Sequence, residues 1–228
     1  MMTAYERFGA GRIRTPDETA TARKRVGGFW HRCEPTPGTP AAAYLAGRGL
    51  PWLNGHPYLR FRWDTPHPSG IRLPALVALV LDGGGNIAAV QRTFLDPTGL
   101  KAMVDPVKAS MGSFAGGAIR LRPAAPEMVV GEGLETTASA VVLLGLPGWA
   151  AIACGNLARN MALPAEVRRV VIAADADLPG RRAVAAAARR WMAEGRDVRI
   201  ATPNKAGLDF NDIQAARLDH SAMEIPHG

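Results

Sequence analysis

Residues 170–182 read VVIAADADLPGRR, an apolar run that ends in two aspartates one residue apart, then a turn and a pair of arginines. Like charges placed this close repel, and without compensation one of them would take up a proton. If the chain stays extended through the pair, Asp175 and Asp177 point to the same side, because strand side chains repeat every two residues. A buried strand that finishes in paired acids therefore asks for a cation.

The surroundings repeat the pattern. From residue 127 onward, apolar strand-like runs alternate with helical ones: EMVVGEG, then LETTASAVVLLG; WAAIACG, then NLARNMAL; RRVVIAADAD, then GRRAVAAAARRWMAEG; DVRIATP, then DFNDIQAARL. Continuous apolar strands between amphipathic helices predict a mostly parallel sheet covered on both faces. The 180–195 helix carries the clearest stripe, with Val184, Ala187, Ala188, Trp191 and Met192 predicted to face the core.

In open parallel sheets, ligands sit at the carboxyl ends of the strands. Glu132 closes the first strand of this half, Asp175 and Asp177 the third, and Asp209 and Asp212 follow the fourth. Acids gathered at one sheet edge, with no histidine or thiolate among them, favour a hard divalent cation, Mg2+ or Mn2+. The chemistry such a site suggests is phosphoryl or nucleotidyl transfer. Each acid also has an ordinary reading: Glu132 as a helix N-terminal charge, Asp209 as a helix cap, the paired aspartates as loop acids. Their joint placement carries the metal-site expectation.

The first half differs in texture. Residues 1–27 are polar and basic, with RKR at 23–25, and suggest a helix fragment or a flexible arm. PTPGTP at 35–40 breaks the chain, and AAAYLAGRGL predicts a short helix closed by glycine. Residues 51–72, rich in Pro, Trp and His, are expected to be irregular. LPALVALVLD and NIAAVQRTFLD flank GGG as a strand–turn–strand. RPAAP at 122–126 is expected to link two domains, 1–126 and 127–228.

The charge divides along the same line. Residues 1–126 hold 16 Lys+Arg against 8 Asp+Glu, net +8, while residues 127–228 hold 11 against 12, net −1, giving +7 for the 228-residue chain. A basic half implies a polyanion, most often nucleic acid, or else a solvated arginine-rich surface. Trp52, Tyr58, Phe61 and Trp63 in PWLNGHPYLRFRW either stack bases or build a small core. Cys33 and Cys154 form neither a disulfide framework nor a four-ligand zinc site. No run nears the roughly 18 to 20 apolar residues a membrane span needs. The N-terminal stretch MMTAYERFGAGRIR lacks the apolar run of a secretory signal, and a cytoplasmic location is expected.

The acidic constellation resembles the Toprim domain shared by bacterial-type primases, topoisomerases and some nucleases. EMVVGEGLETT matches its glutamate motif, VVIAADADLPGRRA its paired-aspartate motif, and GLDFND its trailing acids; the likeness covers roughly residues 127–215. The fold class it implies is α/β, a Toprim-type mostly parallel sheet flanked by helices, preceded by a smaller α+β N-terminal subdomain. Carried over, Glu132 would be the general acid/base, and Glu132, Asp175 and Asp177 would hold the metal, with Asp209 a weaker ligand. Gly180 matches the glycine that opens the following helix.

KASMGSFAGGAIRL (108–121) resembles the stretch before Toprim in phage and plasmid primases and primase–helicases. That likeness implies a DNA primase acting on single-stranded DNA with nucleoside triphosphates, with Lys101, Lys108, Arg92 and Arg120 meeting nucleotide or template phosphates. The chain lacks a cysteine-rich zinc module and a GxxxxGK[ST] motor loop. Those parts belong to another chain, such as a separate helicase, or the protein is a reduced primase core.

Two further readings stand beside it: a metal-dependent Toprim nuclease, in which the same acids activate water, and a non-catalytic nucleic-acid-binding accessory protein. A topoisomerase would need a gate that 228 residues cannot supply. A phosphatase of the haloacid dehalogenase type wants threonine where Pro179 stands, and a receiver domain has no use for a basic N-terminal half.

Overall fold

The computed structural model describes residues 16–174, 178–203 and 209–223. The chain divides into two compact units, residues up to 44 with 54–114, and 45–53 with residues from 115 onward.

The first unit is an antiparallel meander. Its strands β1 (Glu34–Pro35), β2 (Leu59–Pro66), β3 (Arg72–Leu81), β4 (Ile87–Phe94) and β5 (Lys108–Gly112) are hydrogen-bonded in that order. Helix α1 (Pro16–His31) covers the sheet: its Val26, Phe29 and Trp30 form one core with Val77, Leu79, Leu81 and Val90. The glycine-rich turn between β3 and β4 is organised by Asp82, whose Oδ1 accepts the amides of Gly84 (3.0 Å) and Asn86 (2.9 Å). Helix α2 (Pro40–Gly47) follows the breaker cluster as expected.

Residues 51–72 are not irregular. They contain a 3₁₀ turn (Pro51–Leu53) and all of β2. Leu59 and Phe61 turn inward, while Arg60 and Arg62 lie over the rings of Trp30 (4.5 Å) and Phe29 (5.3 Å). The inward–outward alternation was present in the sequence, but prolines and arginines hid it.

The second unit is a five-stranded sheet in the order β10-β9-β7-β8-β6. Here β6 is Ile119–Arg120, β7 Glu127–Gly131, β8 Gly148–Ala150, β9 Arg169–Ala173 and β10 Asp197–Ala201. Four strands run parallel, and β6 joins β8 antiparallel at the edge. Between them lie α3 (Leu134–Leu144), α4 (Cys154–Arg159) and α5 (Leu178–Ala193), and α6 (Phe210–Met223) follows β10. The fold class is the expected one, a mixed α/β chain with an α+β N-terminal region.

One face of the sheet packs on α4 and α5. Met128, Val130, Val170 and Ile172 share a core with Leu157, Val184, Ala187, Ala188 and Trp191. The helical stripe expected on α5 is therefore buried, with one correction: Met192 is 52% exposed. At 100° per residue Met192 sits about 80° from Val184, at the border of the stripe, where burial is not assured. On the other face α3 lies against the sheet so closely that Gly148 has no room for a side chain: a Cβ there would meet Val141 Cγ2 at 2.5 Å and Val129 Cγ1 at 2.6 Å.

Candidate active site

Parallel strands of this sheet end level. Gly131 of β7 is in register with Ala150 of β8 and Ala173 of β9, and Ala173 is in register with Ala201 of β10. The connections then diverge: β7 leads through α3 to β8 on one side, whereas β9 lies on the other side of β7 and leads through α5 to β10. The order thus reverses between β7 and β9, and a switch of this kind opens a crevice at the carboxyl ends of the two strands.

Glu132 leaves β7 at that point. Its backbone carbonyl accepts the amide of Ile152 (2.8 Å), and its Oε2 accepts a hydrogen bond from the Cys154 thiol at 2.6 Å. The turn into α3 is tight. A Cβ on Gly131 would collide with Thr137 Oγ1, and Gly133 is the N-cap, with Thr137 Oγ1 donating to its carbonyl at 2.6 Å. Glycines on either side of Glu132 let the backbone turn directly from strand to helix.

The loop after β8 is built to meet Glu132. WAAIACG was expected to run as a strand, but β8 stops at Ala150 and α4 begins at Cys154. Ile152 sits at φ +76°, a left-handed conformation that costs a β-branched residue on the order of 1–2 kcal/mol. Asn156, 2% exposed, fixes the turn from behind. Its Nδ2 donates to the carbonyls of Ala151 and Gly117 (2.8 Å each), and its Oδ1 accepts the amide of Gly116 (2.8 Å). Sequence reasoning missed Cys154 and Asn156, whose partners Glu132 and Gly116–Gly117 lie 22 and about 40 residues away, with no local signal of the pairing.

Asp175 and Asp177 lie outside the described residues. The strand that leads to them ends at Ala173, beside Gly131, and Ala174 donates its amide to Ala201 (2.9 Å). Gly180 is the third residue of α5.

Asp209 caps α6. Its Oδ1 accepts the amide of Asp212 (2.8 Å), while its own amide donates to Asp212 Oδ2 (2.9 Å), a reciprocal capping box. Between these acids, Asn211 and, one turn on, Gln214 are buried. Asn211 Nδ2 donates to Ser139 Oγ (3.1 Å) and to the Arg48 carbonyl, and Gln214 Nε2 donates to the Gly49 carbonyl (2.7 Å). The DFND motif thereby docks α6 on α3 and on the 45–53 segment. Among the described residues, no three His, Cys, Asp or Glu side chains gather to hold a metal ion.

The basic residues divide between the units. Arg120, in β6, lies over the Trp149 ring at 4.4 Å in the second unit. In the first unit Lys101 is exposed and bridges Leu95, and Lys108 opens β5 opposite Thr93. Arg92 is buried: its guanidinium donates to the carbonyls of Pro66 (2.6 Å), Ser110 (3.1 Å) and Ala109 (3.4 Å). Burial pulls its pKa below the ordinary arginine value. Nearby, His67 Nδ1 accepts the Ser69 amide (3.1 Å), so its Nε2–H is the donor to the Pro106 carbonyl (3.0 Å).

Residues 127–219 match the Toprim domain family, and residues 20–121 match a domain of unknown function, DUF7146. The second unit carries a Toprim domain. Solved structures that resemble the chain include primase cores. The DnaG primase catalytic domain bound to single-stranded DNA aligns with a TM-score of 0.58 at 15% identity, over 90% of this chain and 81% of that one. The RNA polymerase domain of Mycobacterium tuberculosis primase DnaG gives 0.53 at 16%, over 92% and 84%. The primase fragment of the bacteriophage T7 primase-helicase protein gives 0.51 at 19%, over 95% and 80%. At these identities the likeness is one of fold. No curated protein matches the sequence. Within the Toprim domain, Glu132 occupies the end of the first parallel strand and the DAD segment follows the strand beside it.

Proposed function

We propose that the protein is a metal-dependent nucleotidyl transferase acting on single-stranded DNA, a DNA primase of phage or plasmid type. The observation that carries the reading is the level ending of β7 and β9 at the switch point: Gly131, the residue before Glu132, is in register with Ala173, two residues before Asp175 in the chain. Glu132, Asp175 and Asp177 are hard oxygen donors, and the chemistry of that set fits Mg2+ or Mn2+. When bound, such an ion would neutralise phosphate charge and orient oxygens for in-line displacement.

The chain's own residues do the rest. Glu132 takes the proton from the attacking 3′-hydroxyl as general base, and its carboxylate is held by the Cys154 thiol on one oxygen. Asp175 and Asp177 would hold the cation, while Asp209 caps the helix that follows. Lys101, Lys108 and Arg120 attract template or triphosphate oxygens, consistent with the net +8 of residues 1–126. Arg92 acts indirectly, by tying β4 to β5 and to the end of β2.

Among the aromatics, Phe61 is fully buried and Trp63 is 53% exposed, edge-on to Phe61 at 5.0 Å. Of Trp52, Tyr58, Phe61 and Trp63, Trp63 is the exposed one and the one offered for stacking a base. A separate helicase would supply the motor. No helix of the described residues is long and apolar enough to cross a membrane. The test incubates the protein with single-stranded DNA, Mg2+ or Mn2+, and labelled nucleotides. New short products identify a primase; shortened DNA identifies the nuclease; DNA bound and unchanged identifies an accessory protein.

A further inference from the structure

Three features of the Toprim domain converge on Glu132 from the loop after β8, and none belongs to the acidic motifs. Ile152 donates its amide to the Glu132 carbonyl, so the loop fixes the backbone of the acid. Cys154, two residues on, donates to Glu132 Oε2, so the same loop fixes its carboxylate. Asn156, two residues further, is fully buried, and all three of its hydrogen bonds hold the loop in place. The loop adopts a left-handed turn at Ile152 to make these contacts. A β-branched residue in that region persists only where surrounding bonds over-determine it.

We propose that the Ile152–Asn156 turn is the positioning element of Glu132, with the Cys154 thiol orienting the carboxylate and Asn156 anchoring the turn to residues 116 and 117. This rests on the reading of Glu132 as an active-site residue. A carboxylate at the end of a strand swings about two side-chain torsions. A donor on one oxygen limits those torsions and so fixes the direction of the other oxygen as well. The thiol suits the place because it donates one hydrogen bond and brings no charge to a site that must accept a cation. The anchor ties the turn to Gly116 and Gly117 within the same unit, so these two glycines and the turn that holds the carboxylate form one connected frame.

The test uses the full chain as wild type, Cys154→Ser, Cys154→Ala and Asn156→Ala. Mn2+ affinity is measured by electron paramagnetic resonance of the free ion, and primer synthesis by kcat and nucleotide KM. Serine keeps a donor of similar reach, so Cys154→Ser should retain both properties. Loss of a hydrogen bond to a charged group should weaken Mn2+ binding and lower kcat about tenfold in Cys154→Ala, with KM unchanged. Asn156→Ala should show the same pattern; since it strips three buried hydrogen bonds, the cysteine pair decides if that variant does not fold. Equal Mn2+ affinity in wild type, Cys154→Ser and Cys154→Ala overturns the proposal, whether or not the wild type polymerises. So does a serine variant as impaired as the alanine. A wild type that binds Mn2+ yet makes no primers sinks the primase reading instead, and the Mn2+ comparison still tests the turn.

Discussion

Gly131 and Ala173 are register partners in adjacent parallel strands, and each is the last residue of its strand. The next residues, Glu132 and Ala174, therefore leave the sheet at the same level. Because β7 and β9 diverge to opposite sides, this is also where the sheet offers a crevice.

If the paired acids serve a cation at this edge, Asp175→Ala and Asp177→Ala should abolish activity and leave the fold intact or slightly steadier. Removing one of two neighbouring like charges relieves repulsion in the absence of metal. Circular dichroism melts beside activity assays check both halves; a catalytically normal Asp177→Ala protein would rule out the role.

Trp191, on α5, is fully buried in the core that α5 shares with α4 and the sheet. Trp191→Ala should destabilise by about 3–5 kcal/mol, as large core truncations do. Met192→Ala, one residue on but half exposed, should stay within about 0.5 kcal/mol. Denaturant titration of the two variants checks the contrast.

That contrast also marks how far the sequence could be read. Val184, Ala187, Ala188 and Trp191 were legible because helical period alone puts them on one line. Met192 was not, because it sits at the border of the stripe, where the neighbouring elements decide. The end-of-strand placement of Glu132 was legible from an apolar run stopping at an acid. Cys154 and Asn156 were not, since nothing local announces a hydrogen bond to Glu132 or to Gly117. The strand β2 was hidden for a third reason: its outward residues are arginines, whose aliphatic stems and cation–π contacts cover aromatic surface that hydropathy scores as exposed.

The two cysteines should differ in reactivity. Burial pushes the Cys33 thiol up to about 11, the nearby arginines only partly offsetting it. At pH 8 the native protein should therefore react with one equivalent of a maleimide, at half-buried Cys154, and with two after unfolding. Linkage follows in sign: with its folded pKa raised, Cys33 stabilises fully below pH 9.0 and loses that contribution as pH rises toward 11. Cys33→Ala should lack this alkaline component; mass spectrometry of labelled protein and melts from pH 8 to 11 read the two effects.

Trp63→Ala should weaken single-stranded DNA binding by about 1–3 kcal/mol if a base stacks on the exposed ring. Binding should also fall with salt, by roughly 0.7 log units per log salt for each phosphate contact. Lys101→Ala or Lys108→Ala should lower that slope, whereas Trp63→Ala should leave it unchanged. Fluorescence anisotropy across a salt series separates the three, and a flat response in the wild type would remove the basic half from nucleic-acid binding.

Glu132 and the DAD segment are proposed to form one metal-dependent nucleotidyl-transfer site. Its most direct test is labelled-nucleotide incorporation on single-stranded DNA with Mn2+, comparing wild type with Glu132→Gln, a substitution that keeps shape and removes the base. The wild type should give short new products, and none on chelation, and Glu132→Gln should lose at least about a hundredfold. Primer synthesis that survives Glu132→Gln unchanged would contradict it.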